Sequence, residues 1–409
     1  MTKSLLEPAP GNLFQVIKQQ CNDAETKGIK LTRLSIGQPA GPANMWARMT
    51  ASHAIMSNDE SMHEYQDNGS PGCPNFARRF VLAHPGNREK IGLNADNLAY
   101  LPIPGIKPML GYVVESLGSW EDPSKTRKVL TTPGYPTPTY QASKTKNIEQ
   151  HTLPSLNANQ GFLPTIEQID EYGLSHGDLI MLNLPNNPTG AVADVDWWHA
   201  LCDYCSGRGI RIFNDAAYAI LKYDKTIPNL AQIAVDYPEL SWCEAYSTSK
   251  AGNFCGWRIG AMVGSPECIG DISRVKEESD SGFNAALATG VLELFENHKN
   301  DLQKIADVYE KRLQILIEGL TSAGMEIALE PKAGFFVLFY APKWAFGEQI
   351  HDGVHFNQIM IENAGIVGVP FGPYIRYAVC TCDIEQEIGN IRVAFEKAKI
   401  GIHADLGRL

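Results

Sequence analysis

Residues 178–190, DLIMLNLPNNPTG, join an almost continuous apolar run to a hexapeptide of turn-forming residues. The run Asp178–Leu184 lacks the polar alternation of a half-exposed strand, which indicates a strand that is covered on both faces. The hexapeptide Pro185–Gly190 then ends the strand with proline, asparagine and glycine. A buried strand that delivers its carboxyl end to a polar loop is the feature from which we predict the fold.

Short apolar runs alternate with helix-length segments on both sides of residues 178–190. Strands that alternate with helices favour an α/β fold, here a three-layer α/β/α domain with a mostly parallel sheet. The predicted strands are Asn97–Ile103, Lys128–Thr132, Asp178–Leu184, Ile210–Phe213, Trp242–Tyr246 and Gly260–Val263, and the predicted helices include Ile106–Leu117 and Asp194–Ser206.

The texture of the sequence changes after about residue 293. A long helical stretch, Asn300–Leu320, precedes Ala328–Tyr340, which has the pattern of a strand-rich α+β segment. A chain of 409 residues also favours two domains. We therefore predict a large domain over 46–293 and a smaller α+β C-terminal domain over 294–409. The N-terminal segment, 1–45, is expected to pack on the small domain and the candidate site.

The composition excludes several classes of partner. A formal net charge of -11 opposes binding to nucleic acid or to an anionic membrane surface, and no apolar run approaches the length of a membrane span.

The 9 cysteines are odd in number and scattered, and the first residues lack the pattern of a signal peptide, which favours reduced thiols and a cytoplasmic location. The 10 histidines form no pattern typical of a metal site, so we predict no metal.

Polar residues follow the predicted strands, and ligands of α/β sheets bind outside the carboxyl ends of strands. Each piece alone has an ordinary explanation, such as a turn, a helix cap or a solvated loop. Together they supply an acid, an amine, hydroxyls, an arginine and a helix start, which suit an anionic, aromatic cofactor that carries an aldehyde. The residues are Asn187, Asp215, Tyr218, Ser247, Ser249, Lys250 and Arg258, with Gly105, Ile106 and Lys107 at the start of a helix.

Four ordered motifs carry a family resemblance: N-P-T-G at 187–190, D-x-A-Y at 215–218, S-x-S-K at 247–250 and G-W-R-I-G at 256–260. In this set the chain resembles the fold-type I enzymes that use pyridoxal phosphate, in the aspartate aminotransferase superfamily, and among these the class I/II aminotransferases. The resemblance runs over about residues 34 to 394. It implies transfer of an amino group between an L-amino acid and a 2-oxo acid (EC 2.6.1 type) by a homodimer with shared active sites.

The resemblance gives each matching residue a task. Lys250 would carry pyridoxal phosphate as a Schiff base and move a proton as a general acid and base. Asp215 would keep the ring nitrogen protonated, so that the ring withdraws electrons. Asn187 and Tyr218 would bond the ring hydroxyl oxygen. Tyr135 resembles the aromatic residue that stacks on the ring, although a packing tyrosine in a proline-rich turn is the alternative.

The phosphate group needs positive charge and many donors. By the resemblance, Arg258, Ser247 and Ser249 would bind it. Backbone N–H groups at the helix start that follows Gly105, those of Ile106 and Lys107, would bind it as well. Ile106 departs from the family, which usually has a small or hydroxylated residue there. Backbone donation survives that change, but a hydroxyl contact does not.

The substrate residues come from the two ends of the chain. Arg376 resembles the arginine that binds the substrate carboxylate, with an exposed strand arginine as the alternative. Gly37 resembles the segment that closes over substrate, where Asn187 would also make contact. Tyr65 resembles a tyrosine that reaches the phosphate of the neighbouring subunit, although extra residues follow it. The segment Phe371–Ile375 is shorter than the family's loop, which helps to border the substrate pocket. The resemblance therefore does not identify the substrate.

Two alternatives remain at the level of sequence. Other chemistry on the same fold, by an elimination lyase or by a cyclising or oxidising enzyme of specialised metabolism, would use the same cofactor residues. A regulator or a degenerate binding protein is the other class. The acidic charge opposes a DNA-binding regulator, and the presence of both Lys250 and Asp215 opposes a degenerate protein.

Overall fold

The structure, a computed structural model, describes residues 13–119, 124–154, 157–381 and 383–401. These residues form two compact units. Unit 1 holds the described residues up to Gly37, Lys311–Glu330 and those from Phe335 onward, and unit 2 holds Gln38–Glu310 and Pro331–Gly334. The division falls inside a long helix at residues 310 and 311, whereas the change of sequence texture at residue 293 coincides with a π-helical turn at Glu293–Asn297.

The helices account for much of the described chain. In chain order they are α1 Leu13–Thr26, α2 Met45–Ile55, α3 Phe76–Leu82, α4 Asn87–Lys90, α5 Ile106–Glu115, α6 Thr137–Lys144, α7 Ile166–Asp170, α8 Val195–Ser206, α9 Leu230–Ala234, α10 Pro266–Glu277, α11 Ala285–Leu292, α12 Lys299–Ser322, α13 Gly353–Ala364 and α14 Ile384–Ala398.

The strands include one close to each of the six runs predicted for the large domain, together with others that were not predicted. In chain order they are β1 Thr32–Arg33, β2 Ala99–Ile103, β3 Arg127–Thr131, β4 Ile148–Thr152, β5 Leu179–Leu182, β6 Arg211–Asp215, β7 Trp242–Ser247, β8 Gly260–Gly264, β9 Ile327–Leu329, β10 Phe336–Tyr340, β11 Trp344–Ala345, β12 Glu348–Gln349, β13 Ile366–Val367, β14 Val369–Phe371 and β15 Tyr374–Ala378.

Unit 2 is built around a seven-stranded sheet with the order β2-β8-β7-β6-β5-β3-β4. All its neighbouring strands are parallel except at β8, which runs antiparallel to both β2 and β7. This arrangement confirms the predicted α/β fold with a mostly parallel sheet. It also means that β5, β6 and β7 deliver their carboxyl ends to the same edge.

The sheet of unit 2 is covered on both faces. Every residue of β5, β7 and β8 is buried, which explains why these strands form continuous apolar runs in the sequence. One face packs on helices α5 and α10, where Met109 and Leu110 of α5 and Ile272 of α10 meet strand residues such as Phe213 and Met262. Burial of apolar side chains on this scale is the main stabilising contribution to the unit.

Unit 1 has a smaller, antiparallel sheet with the order β14-β15-β10-β9. A separate apolar cluster joins α1, through Ile17 and Cys21, to Val367 and Val369. Strands β14 and β15 are joined by a two-residue turn, Gly372-Pro373, since Phe371 pairs directly with Tyr374. Gly372 has a φ of 58°, which glycine adopts without strain. The segment that is short in the sequence is therefore a tight hairpin.

Two kinds of feature are absent from the described residues. None of their helices is both long and apolar enough to cross a membrane. No group of three or more histidine, cysteine, aspartate or glutamate side chains in the described ranges is arranged to hold a metal ion.

The pairing of β7 with β8 generates a first prediction. A Cβ atom added at Gly264 would overlap the backbone oxygen of Trp242 and lie 2.9 Å from Cα of Cys243. We expect Gly264→Ala to lower the free energy of unfolding by about 2 kcal/mol or more, because backbone atoms of a central strand must shift. Denaturant unfolding measures this.

Gly270, inside α10, is the matched control. A Cβ atom at Gly270 meets no atom within 4 Å. Gly270→Ala should therefore raise stability by about 0.5 to 1 kcal/mol, through the lower flexibility of the unfolded chain. Equal effects of the two substitutions would show that β7 and β8 do not approach as closely as described.

Candidate functional site

The candidate site of unit 2 lies where three parallel strands end. In the sheet register, Leu182 of β5 stands beside Asn214 of β6, and Asp215 stands beside Ala245 of β7. The loops that follow the three strands therefore leave the sheet side by side. This alignment brings the polar segments at 185–190, 215–218 and 247–250 to one edge, as the sequence predicted.

Asp215 is the last residue of β6 and is only 5% exposed. The backbone N–H of Ala217 donates to its Oδ1 atom at 3.1 Å. Burial raises the pKa of Asp215 from 3.8 to about 7, while the Ala217 bond and the positive charge of Lys250 act in the opposite direction. The carboxyl group and the lysine thus act on each other electrostatically at the strand edge.

Lys250 follows the loop after β7. Its Nζ atom lies 5.7 Å from the centre of the Tyr218 ring. The loop before it is held in place, because the N–H of Ser249 donates to Oγ of Ser247 at 3.1 Å and Oγ1 of Thr248 donates to the Ile259 carbonyl at 2.8 Å. The amine is therefore carried by a loop that is anchored to the neighbouring segment before β8.

Arg258 has a left-handed backbone with a φ of 57° and reaches two partners. Its Nη1 atom donates to Oγ of Ser249 at 3.2 Å and to the Cys255 carbonyl at 2.9 Å. The guanidinium packs on Gly105, where a Cβ atom would lie 2.9 Å from Cζ of Arg258 and overlap Nη2. The absence of a side chain at Gly105 therefore lets a guanidinium lie against the start of α5.

At the first turn of α5, the side chains and the backbone N–H groups have different roles. The Ile106 side chain is 5% exposed and belongs to the apolar cluster on the sheet, whereas Lys107 is exposed. Since Gly105 caps the helix without a side-chain bond, the first N–H groups of α5 have the orientation that suits an anion. Ile106 is thus explained by packing.

Asn183, which the sequence analysis did not single out, connects two of the predicted site residues. Its Nδ2 atom donates to the backbone oxygen of Asp215 at 2.9 Å, and its Oδ1 atom accepts the N–H of Asn187 at 2.9 Å. Within the loop, Thr189 donates from Oγ1 to Oδ1 of Asn186 at 2.8 Å. The one feature of the sequence that could have pointed to Asn183 is that it is a polar residue at the end of an apolar run.

Tyr135 lies in a half-buried loop beside the one that carries Asn187. A Cβ atom at Gly134 would lie 2.6 Å from the Asn187 backbone oxygen, so the two loops touch. Burial is the main cause of the raised pKa of Tyr135, and the charges of Asp215 and Arg258 also contribute, in opposite directions. Tyr135 is thus within electrostatic reach of both charged residues.

Arg376 and Gly37 belong to unit 1. Arg376 lies on β15 between Leu338 of β10 and Val369 of β14, and it is 4% exposed, so it is not an exposed strand arginine. Its Nη2 atom donates to the Ser35 carbonyl at 2.8 Å.

An aromatic ring lies against Arg376 and Gly37. The Arg376 Cζ atom lies 4.3 Å from the centre of the Phe336 ring. A Cβ atom at Gly37 would lie 3.1 Å from the same ring, so a glycine there permits the close packing. Gly37 and Arg376, far apart in sequence, therefore lie beside each other in unit 1.

Tyr65 lies on the surface of unit 2. It follows the short 3₁₀ turn at Glu60–Met62 and is 78% exposed. The structure therefore does not join it to the cluster formed by Asp215, Lys250 and Arg258, and any role for it depends on a second molecule.

Comparison with known proteins finds a family model and relatives that match most of the chain. A family model described as aminotransferase class I and II matches residues 135–388. The chain is 25% identical over 389 residues to an LL-diaminopimelate aminotransferase of Natranaerobius thermophilus, covering 90% of this chain and 91% of the relative. It is 27% identical over 403 residues to LL-diaminopimelate aminotransferase 2 of Trichormus variabilis, covering 92% and 94%.

Solved structures share the fold. Substrate-bound BacF from Bacillus subtilis superposes with a TM-score of 0.79 at 20% identity, covering 98% of each chain. An aspartate aminotransferase from Thermotoga maritima gives a TM-score of 0.75 at 18% identity, covering 94% of this chain and 96% of that one. The architecture of this chain is therefore the one seen in these proteins.

The raised pKa of Asp215 predicts a pH dependence of stability. In the folded protein without ligands, Asp215 keeps its proton up to about pH 7, whereas the unfolded chain releases it near pH 3.8. The contribution of Asp215 to stability should thus fall as the pH rises between these values, by at most about 4 kcal/mol.

The measurement compares this protein with Asp215→Asn, which stays neutral. The free energy of unfolding, followed with denaturant at several pH values, should decline more steeply toward neutral pH in the unsubstituted protein. Superimposable pH profiles of the two proteins would contradict the assignment.

Proposed function

Because the chain belongs to the class I and II aminotransferases, we propose that the residues at the ends of β5, β6 and β7 form its pyridoxal phosphate site. Members of this family use pyridoxal phosphate. The reaction of this chain is the transfer of an amino group between an amino acid and a 2-oxo acid. The observation that carries the site proposal is the electrostatic interaction of buried Asp215 with Lys250 at one strand edge.

The residues present fit this cofactor chemically. A phosphate group requires a cation and N–H donors, and Arg258 lies against the start of α5 because Gly105 leaves the space. A pyridine nitrogen that carries a proton requires an acceptor, and Asp215 is a buried carboxyl group at the strand edge. An aldehyde requires an amine, which Lys250 provides.

When bound, pyridoxal phosphate supplies an aldehyde that bonds amines and a ring that withdraws electrons from the substrate Cα atom. Lys250 would hold the cofactor through its Nζ atom, and its amine would act as the general acid and base that moves the proton of the substrate Cα atom. Asp215 would accept a hydrogen bond from the ring nitrogen. A positive partner favours the ionised carboxylate, so it offsets the effect of burial on the pKa of Asp215.

Other residues hold the ring in position. Asn187 and Tyr218 bond the ring hydroxyl oxygen, and support comes from the Tyr218 ring being 5.7 Å from Lys250 Nζ. Tyr135 stacks on the ring, which fits its half-buried place beside the loop of Asn187. Ser247, with its hydroxyl at the turn before Lys250, and the Ser249 hydroxyl, already bonded to Arg258, contribute to binding of the phosphate.

In unit 1, Arg376 binds the carboxylate of the substrate and Gly37 belongs to the segment that covers it. The guanidinium is buried, and its orientation is fixed by Ser35 and by the Phe336 ring. Asn187 contributes a further substrate contact. The names of the relatives make LL-diaminopimelate the first amino donor to test, with 2-oxo acids as acceptors.

The assembly and location form a further part of the proposal. A homodimer would bring the exposed Tyr65 of one subunit to the phosphate of the other, and unit 2 would be the large cofactor-binding domain with unit 1 as the small domain. A cytoplasmic location is supported by the eight cysteines of the described residues, which are all free thiols.

The other reactions considered for this fold are not favoured. The relatives described above are aminotransferases. A panel of amino acids, each tested for conversion of the cofactor spectrum to the pyridoxamine form, identifies the donor. Release of ammonia without nitrogen reaching an added oxo acid would contradict transamination.

The role of Lys250 gives a direct prediction. Lys250→Ala removes the amine, so we expect loss of the absorbance band of the covalently bound cofactor and a fall in turnover of about a thousandfold or more. Absorbance spectra and a transamination assay measure both effects. Turnover close to that of the unsubstituted enzyme would refute the assignment.

The role of Arg258 gives another prediction. Arg258→Met keeps an unbranched side chain but removes the charge, and we expect pyridoxal phosphate to bind the apoprotein about tenfold to a hundredfold more weakly. Titration of the apoprotein with cofactor measures this. Arg392, an exposed residue paired with Glu396 in α14, is the matched control, since Arg392→Met should leave the affinity unchanged. Equal affinities for both variants would remove Arg258 from the phosphate site.

A further inference from the structure

Two buried asparagines outside the four family motifs cross between the ends of β5 and β6. Asn183 directly follows β5 and is 4% exposed, and Asn214 lies within β6 and is fully buried. Buried amides are retained where their hydrogen bonds are satisfied, and each unsatisfied group has a large desolvation cost. The partners of these two side chains therefore indicate what each one holds.

Asn183 holds two residues of the proposed cofactor site at once. Its amide nitrogen donates to the carbonyl of Asp215, and its amide oxygen accepts the N–H of Asn187, both at 2.9 Å. One rigid, planar group thus fixes the backbone of the acid relative to the backbone of the loop residue. Asp215 ends β6, whereas Asn187 lies in the loop after β5, and the whole of helix α8 separates them in sequence.

Asn214 holds the same segment from the other strand. Its Oδ1 atom accepts the N–H of Leu184 at 2.9 Å, and its Nδ2 atom donates to the Leu184 carbonyl at 2.9 Å and to Oε1 of Glu244 at 2.7 Å. Glu244 in turn accepts a bond from the Tyr246 hydroxyl at 2.6 Å. The chain around Asn183 is therefore braced on both sides, which fixes the place of its amide.

The proposed partners of the cofactor ring need a fixed spacing. The ring nitrogen and the ring hydroxyl oxygen are attached to one rigid aromatic ring, so Asp215 and Asn187 must be held at a matching separation. An error of about 0.5 Å is enough to weaken one of the two hydrogen bonds. The direct connection between the two backbones runs through the Asn183 amide.

We propose that Asn183 is a positioning residue that sets the separation of Asp215 and Asn187 and thereby the fit of the cofactor ring between them. This inference rests on the proposed cofactor site. It assigns Asn183 no contact with cofactor or substrate, so its effect acts through Asp215 and Asn187. A residue of this kind should change the properties of the bound cofactor more than it changes the stability of the fold.

The test uses the holoenzyme of Asn183→Leu, which has nearly the same size and lacks both hydrogen bonds. Two quantities are measured: the dissociation constant of pyridoxal phosphate, and the pH midpoint at which the absorbance band of the Lys250-bound cofactor changes. We expect the dissociation constant to rise about tenfold or more and the midpoint to move by about half a pH unit or more.

Asn87 provides the matched control. It is fully buried in unit 2, its Nδ2 atom donates to the Val81 carbonyl at 2.9 Å, and its Oδ1 atom accepts Nε2 of Gln232 at 2.8 Å. Asn87→Leu should lower the melting temperature without moving the pH midpoint. The inference is overturned if Asn183→Leu changes only the melting temperature, as the control does.

A second variant keeps the test decisive if Asn183→Leu fails to fold. Asn183→Asp retains an oxygen that accepts the Asn187 N–H, but its carboxylate cannot donate to the Asp215 carbonyl. We expect the dissociation constant of pyridoxal phosphate to rise, by less than in Asn183→Leu, and a dissociation constant equal to that of the unsubstituted enzyme overturns the role at Asp215. If the unsubstituted protein shows no cofactor band, the proposed function itself fails, whereas a normal band with unaffected variants rejects this inference alone.

Discussion

The parallel alignment of β5, β6 and β7 is the constraint on which the rest of the structure depends. Parallel neighbours end at the same edge, so segments that lie far apart in sequence become adjacent loops. Burial of the strands on both faces fixes their register, because a slip of one residue would move apolar side chains out of the core. The positions of Asp215 and Lys250 follow from this register.

Two buried carboxyl groups at this edge have different surroundings, and the difference is informative. Glu244 accepts hydrogen bonds from Asn214, Tyr246 and the backbone at the start of α9. For Asp215, the described contacts of the carboxyl group include one N–H donor, that of Ala217. Burial raises the pKa of both groups. A carboxyl group surrounded by donors contributes to structure, whereas Asp215 retains acceptor capacity for a ligand.

The sequence was sufficient to predict β2, β3 and β5 to β8, because burial leaves a continuous apolar run and because turn residues mark the loops that follow. It could not give the direction of β8, since Gly260–Gly264 is equally apolar whether it runs parallel or antiparallel. It also missed Asn183, since an asparagine after a strand has the pattern of an ordinary turn residue. The division between unit 1 and unit 2 at residues 310 and 311 also differs from the predicted domain boundary at residue 293. It falls inside α12, which is one continuous helix.

The hairpin at Gly372-Pro373 has a consequence for the thermodynamics of recognition. A long loop before Arg376 would have to be ordered each time a carboxylate bound, and that ordering would oppose binding. Here Arg376 lies on a strand, β15, that is paired with a neighbouring strand on both sides. Its guanidinium is already bonded to Ser35. If Arg376 binds the substrate carboxylate as proposed, the entropy lost on binding would be mainly that of the small molecule, and selectivity among amino acids would come from the groups that surround the rest of the substrate.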